Sequence, residues 1–183
     1  MAAMYTERLM LRQLEPCDAE ALELLIDDYE IASTTLNIPY PYPKGSAEAF
    51  IHRRLEAAQN GEGYTFAIIN KEDLTFMGSI GMNLNQSHDR AELGYWLGKR
   101  YWNKGYVTEG VKRVTKYGFE ELQLNKIHAA AMTKNPASSS VMTKAGMQYE
   151  GTFREHIRKW DQYVDIAYYA ILREDYLKTA AAE

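Results

Sequence analysis

The sequence predicts a mixed α+β fold, a mostly antiparallel sheet flanked by helices. Three observations carry this expectation. Strand and helix periods follow one another without the regular alternation that builds a doubly wound parallel sheet. Three short runs rich in strand formers, 64–70, 76–85 and 90–97, are separated only by polar turns, as in an antiparallel meander. Two further segments, 153–157 and 163–172, then flank Lys159-Trp160-Asp161-Gln162, the pattern of a closing hairpin.

In chain order, residues 8–13 place Leu9 and Leu11 two apart, with polar Arg8, Arg12 and Gln13 around them, the period of a half-buried strand. Pro16 opens a segment with helical spacing at Leu22, Leu25 and Ile26. The run Ile38-Pro39-Tyr40-Pro41-Tyr42-Pro43 is extended and excluded from a sheet interior, because each proline lacks an amide donor and restricts the residue before it. Ser46 reads as the N-cap of a helix to about Gln59, with Phe50, Ile51 and Leu55 on one side. After the three meander strands, Val107, Val111, Val114, Gly118 and Leu122 recur at helical spacing, and Asn125 supplies a stop. Residues 126–132 suit a buried strand, 138–145 a brief helix ended by Gly146, and 153–157 with 163–172 the closing hairpin.

At 183 residues the chain suits one domain over 1–183, since a chain of this size buries roughly 70% of the surface it exposes when unfolded. Cys17 is the only cysteine, which excludes an internal disulfide and Cys-x-x-Cys metal or redox sites. His52, His88, His128 and His156 show no metal-ligand spacing, so no metal is expected. The start has no basic segment followed by an apolar core, and no stretch is apolar enough to span a membrane, which together with the lone cysteine points to a cytoplasmic protein. A net charge of −4 argues against a nucleic-acid binder with a broad basic face. Charge is uneven, however: 15–30 carries seven acids and no base, whereas 99–116 carries six bases against Glu109 alone. One end suits an anion and the other a cation, or both runs are solvated helix faces.

The densest chemical signal is Trp102-Asn103-Lys104-Gly105-Tyr106-Val107-Thr108-Glu109-Gly110, between a strand end and a long helix. The first turn of a helix has amide hydrogens without partners, and the aligned peptide dipoles add a positive end, so it accepts phosphate oxygens. Gly105 lets a ligand approach the backbone, and Lys104 adds attraction. One glycine before a helix is commonplace, so spacing alone leaves an ordinary helix start open. No G-x-G-x-x-G follows the first strand and no G-x-x-x-x-G-K-[ST] occurs, which removes Rossmann and P-loop readings.

Several runs closely resemble the GNAT acetyltransferase superfamily in its RimJ/RimL-like branch. They are Ala91-Glu92-Leu93-Gly94-Tyr95-Trp96-Leu97, the Trp102 loop, Asn135-Pro136-Ala137-Ser138-Ser139-Ser140-Val141 and Lys144-Ala145-Gly146-Met147. The opening Thr6-Glu7-Arg8-Leu9-Met10-Leu11-Arg12 and the later Glu150-Gly151-Thr152-Phe153-Arg154-Glu155 also look like that branch. The resemblance implies a twisted sheet whose central strands, 90–97 and 126–132, splay apart around acetyl-CoA. Backbone groups of Trp96 and Leu97 would pair with the pantetheine arm, and amides of Lys104, Gly105, Tyr106, Val107 and Thr108 would hold the pyrophosphate. Asn135 would meet the coenzyme near its thioester, and Lys144 a phosphate. The usual pyrophosphate pattern is Q/R-x-x-G-x-G/A; here Trp102 and Val107 replace two of its positions and only Gly105 remains. Because those contacts are chiefly main-chain, binding is expected to persist.

The implied reaction is acetyl transfer to a primary amine, with a protein or peptide N-terminus favoured over a polyamine, amino sugar or amino acid. An N-terminal amine has a pKa of about 7.7–8.0 and is mostly protonated at neutral pH, so a proton acceptor is needed. Glu92, beside the expected thioester, is the first candidate, with a purely structural role as the competing reading; Glu155 is the second. An amide near Leu97 would stabilise the oxyanion. Ser138 would donate to the leaving thiolate, or serve only as a helix cap. Tyr40, Tyr42 and Trp160 would line the acceptor mouth, or pack as loop aromatics. Cys17 lacks a partner for a ping-pong route. A non-catalytic acyl-CoA sensor is the alternative from another class, and monomer and homodimer stay equally open.

Overall fold

Pairing of alternately buried strands explains the architecture of the computed structural model, which describes residues 2–180. β1 (Met4–Tyr5) pairs with β2 (Leu9–Gln13), in which Leu9 and Leu11 are fully buried. After a 3-10 turn at Pro16–Asp18 come α1 (Ala19–Ile26) and α2 (Tyr29–Thr34). α3 (Ser46–Gln59) leads into the meander β3 (Gly63–Asn70), β4 (Phe76–Asn85) and β5 (Arg90–Leu97). α4 (Tyr106–Glu120), β6 (Lys126–Met132) and α5 (Pro136–Lys144) follow, then the hairpin β7 (Gln148–Lys159) and β8 (Gln162–Leu172), and α6 (Arg173–Ala180). The eight strands form one sheet in the order β1-β2-β3-β4-β5-β6-β8-β7. Its pairs are antiparallel except β5–β6, which is parallel.

Alternation divides the apolar side chains between two faces. Phe66, Ile68, Ile80, Met82, Leu93 and Leu97 meet Val111, Val114 and Phe119 of α4 and Met142 of α5. On the other face Ala67, Ile69, Phe76 and Trp96 meet Leu22 and Ile26 of α1, Ile31 of α2 and Ile51 of α3. β3 is buried on both faces, which is why it reads as a continuous apolar run rather than an alternating one.

Five features depart from the sequence expectation. α2 is an additional helix, started by Asp28, whose carboxylate accepts the Glu30 amide, and anchored by buried Ile31 and Ala32. α6 and β1 are also additional. Ser46 is the first residue of α3, not its cap; left-handed Gly45 precedes it. β7 is longer than expected because it is an exposed edge strand without alternation.

The acidic run is largely committed to holding this face together. Asp18 is buried and pairs with Arg12 through two 2.7 Å contacts. Glu23 accepts the Gly45 amide and Asp27 the Tyr42 amide, each at 2.8 Å. Glu30 forms an ion pair with Lys99 of the basic run.

Candidate active site

The parallel pair β5–β6 is only half formed. Register runs from Arg90↔Lys126 to Leu93↔Ala129 and stops, although β5 stays paired with β4 as far as Leu97 and β6 with β8 as far as Met132. A wedge thus opens between Gly94–Leu97 and Ala130–Met132. Strand alternation decides which peptide groups face it. The Gly98 amide donates to Met77 O at 2.8 Å, so in this register Trp96 and Gly94 also turn their peptide groups to β4. Tyr95 and Leu97 face the wedge. Trp96, expected as half of that pair, instead buries its indole beside Phe76.

At one end of the wedge lies the start of α4. Gly105 has φ +80, a left-handed conformation that favours glycine, and no side chain caps the helix. The amides of Tyr106, Val107 and Thr108 therefore lack partners of the kind a cap supplies. The loop is pinned from two sides. Trp102 Nε1 donates to Leu97 O at 2.7 Å, tying the loop to β5 through the residue that departs from the family pattern. Arg8, which sequence reasoning overlooked, donates from Nη1 to Lys104 O at 2.9 Å, covers the Tyr106 ring at 4.4 Å and reaches Glu109 from Nε at 2.7 Å. The side chain of Lys104 is exposed.

Glu109 accepts from Thr6 Oγ1 at 2.5 Å and from the Arg8 amide at 2.9 Å. Burial pushes its carboxyl upward, but these hydrogen bonds and the Arg8 charge outweigh it and hold the group below the usual carboxylate range. A lowered folded-state pKa stabilises the protein above the ordinary value of about 4.3 and ceases to do so as pH falls through the folded value. Glu109→Gln is expected to lower stability at neutral pH, with the difference from wild type disappearing in acid; urea unfolding across pH 3–7 checks it.

At the far side stands α5. Asn135 is engaged at both ends of its amide: Oδ1 accepts the Ser138 amide at 3.2 Å and Nδ2 donates to Thr34 O at 2.9 Å, so it caps α5 and holds the end of α2, with a second amide hydrogen left over. Ser138 Oγ lies 2.9 Å from the hydroxyl of Tyr95, a contact between residues 43 apart that no local pattern announces. Burial pushes the Tyr95 phenol up to about 12, against the opposing pull of the Ser138 hydrogen bond. Lys144 is exposed at the end of α5.

The opposite face carries the candidate base. Glu92 is exposed and in register with half-buried His128, whose imidazole burial holds below its usual value despite the pull of Glu92. Gly94, next on the same face, looks onto open space: a β-carbon there would meet nothing within 4 Å. Glu155 lies in a bulge of β7 at φ +48, its amide donating to Asp165 Oδ1 at 2.7 Å, on the strand farthest from β5 at that end of the sheet.

The aromatics divide. Tyr40 and Trp160 both pack on Tyr29 with ring centroids 5.5 Å away, joining the loop, α2 and the hairpin tip into one exposed cluster. Lys159 is buried beneath it, donating to Ile38 O at 3.2 Å and Leu36 O at 3.4 Å. Tyr42 stands apart and packs into the core under α1 and α3. Among the described residues no cluster of His, Cys, Asp or Glu is arranged to hold a metal ion, and no helix is long and apolar enough to cross a membrane.

Comparisons with known proteins agree with this geometry. The family model described as the acetyltransferase (GNAT) domain matches residues 8–148. The uncharacterized N-acetyltransferase p20 of Bacillus licheniformis is 32% identical over 96% of this chain and 99% of its own. A GNAT-family acetyltransferase from Bacillus anthracis has a TM-score of 0.85 at 28% identity, covering 94% of this chain and 99% of its own. RimL, a ribosomal L7/L12 α-N-protein acetyltransferase solved with coenzyme A, has a TM-score of 0.87 at 16% identity over 93% of this chain and 98% of its own, a likeness of fold. With half-paired β5 and β6, an uncapped α4 and a family match across most of its length, the chain belongs to the GNAT acetyltransferase family.

Proposed function

We propose that this N-acetyltransferase moves an acetyl group from acetyl-CoA to a protein or peptide N-terminal amine by direct attack on the thioester. The observation that carries the reading is the wedge between β5 and β6, which leads from the bare amides of α4 to Glu92 and Gly94 on the opposite face. Tyr95 and Leu97 offer the strand-like pairing surface for the pantetheine arm, and the amides from Lys104 to Thr108 the anion site. Lys144 supplies a further positive charge for a phosphate.

In the reaction the amine lone pair forms the C–N bond, the C–S bond breaks, and its electrons leave on sulfur. Glu92, directly or through water, takes the proton that the amine sheds. A Leu97 amide stabilises the oxyanion, and Ser138 gives a hydrogen bond to the departing thiolate. The products are an amide and a thiol, with one proton moved from nitrogen to sulfur by way of these groups and solvent.

The acceptor class rests on two points. Most of the carboxylates of the acidic run are spent on internal bonds and do not form a free surface for a polycation. The Tyr29–Tyr40–Trp160 cluster offers a broad aromatic mouth suited to a peptide chain. RimL, alike in fold, is named for a protein α-amine, which makes N-terminal peptides the first class to try. Thermal shift with CoA and acetyl-CoA, followed by free-thiol release over peptides, polyamines, amino sugars and amino acids, tests the reading. Thiol release dominated by N-terminal peptides is expected. Dominance of a small amine overturns the acceptor class, and stabilisation without turnover on any amine makes the chain an acyl-CoA sensor.

A further inference from the structure

We propose that Tyr95 is a positioning residue for acyl transfer: its phenol donates to Ser138 Oγ and thereby turns the Ser138 proton toward the coenzyme sulfur. The inference rests on the reading of Ser138 as the thiolate's donor.

A serine hydroxyl has one proton and two lone pairs, so its direction is set by what fills the lone pairs. Among the described residues the partner offered to the Ser138 hydroxyl is that of Tyr95, at 2.9 Å from Oγ and 3.2 Å from the Ser138 carbonyl oxygen. If the phenol donates to Oγ, the serine proton is free to point away from it, into the wedge. If it donates to the carbonyl, its oxygen collects the serine proton and Ser138 has nothing left to give. The 2.9 Å contact accommodates a proton from either oxygen, and only the arrangement in which the phenol donates leaves Ser138 a proton for the sulfur. Burial also keeps the phenol protonated, raised to about 12, so it remains a donor throughout the pH range in which amines react.

Position supports the same assignment. Tyr95 lies beyond the last β5–β6 pair, so its side chain reaches from the open part of β5 to the first turn of α5. The Ser138 amide is held by Asn135 Oδ1, which fixes the backbone while Tyr95 fixes the hydroxyl. Two contacts from different elements thus leave the serine one free direction.

The test is a double-mutant cycle with a second readout in the binary complex. In it the pKa of the bound coenzyme A thiol, about 8.5 for a free thiol, is followed by thiolate absorbance against desulfo-coenzyme A. Tyr95→Phe keeps the ring, and calorimetry with coenzyme A checks that the wedge is intact. Expected are a roughly tenfold fall in kcat for Tyr95→Phe and about a hundredfold fall for Ser138→Ala, with no further loss in the double variant. The bound thiol, lowered in wild type, should rise toward its free value in both single variants. Additive losses, an unchanged thiol in Tyr95→Phe, or a faster Tyr95→Phe enzyme would overturn the inference. Wild-type turnover and an unchanged thiol in Ser138→Ala would instead remove Ser138 as donor, and the inference with it.

Discussion

Replacing Gly105 by glutamate is expected to abolish the thermal stabilisation that coenzyme A gives the wild-type protein. At φ +80 any side chain is strained by about 1 kcal/mol, and the new β-carbon would sit 3.4 Å from Arg8 Nη2, which already pairs with Glu109 Oε2 at 2.7 Å. The larger effect is electrostatic. A carboxylate at this position would cap the α4 amides itself and repel the phosphates that would otherwise take them. With coenzyme at a hundred times its dissociation constant, stabilisation of about 2.7 kcal/mol would be lost in full. Gly105→Ala separates the causes: backbone strain lowers the melting point of the free protein, while a coenzyme shift remains. An unaltered shift in the glutamate variant would displace the anion site from α4.

Glu92→Gln is expected to lower kcat by roughly 10²–10⁴-fold while coenzyme affinity persists. The amide keeps the size of the side chain and removes its basicity, and Glu92 lies on the exposed face of β5 rather than in the wedge. Stopped-flow thiol release for the variant, beside calorimetry with coenzyme A, reads the two quantities separately. Glu155→Gln serves as the companion, since its bulge is separated from β5 by β6 and β8. A Glu92→Gln enzyme with normal turnover rules that residue out as the base.

The elements with strong periods were legible in the sequence: Val107, Val111 and Val114 announced α4, and the runs at 76–85 and 90–97 coincide with β4 and β5. α2 was not, because its six residues include Ile31 and Thr34, poor helix formers, and it is held by the Asp28 cap and tertiary burial. The uses of Glu23 and Asp27 were equally hidden, since a carboxylate that receives a distant amide looks like any surface acid until the partner is placed. The site followed the same division. The helix start at Gly105 could be read locally, whereas the choice of Tyr95 over Trp96 as a wedge-facing residue depends on the β4 register, and Tyr95–Ser138 on a contact across two elements.

Parted strands give this molecule a sheet edge on the inside, a ribbon of thirsty peptide groups walled by its own core. Edges welcome any linear molecule bearing amides at a similar pitch, so they grip without discriminating. On the proposed reading, selectivity is delegated to the two extremities of the slot, one reading negative charge and the other reading the nucleophile. Compounds that merely fill the middle would cross-react among split-sheet enzymes, while those extended to the aromatic rim of Tyr29, Tyr40 and Trp160 would add contacts with side chains rather than with peptide groups alone.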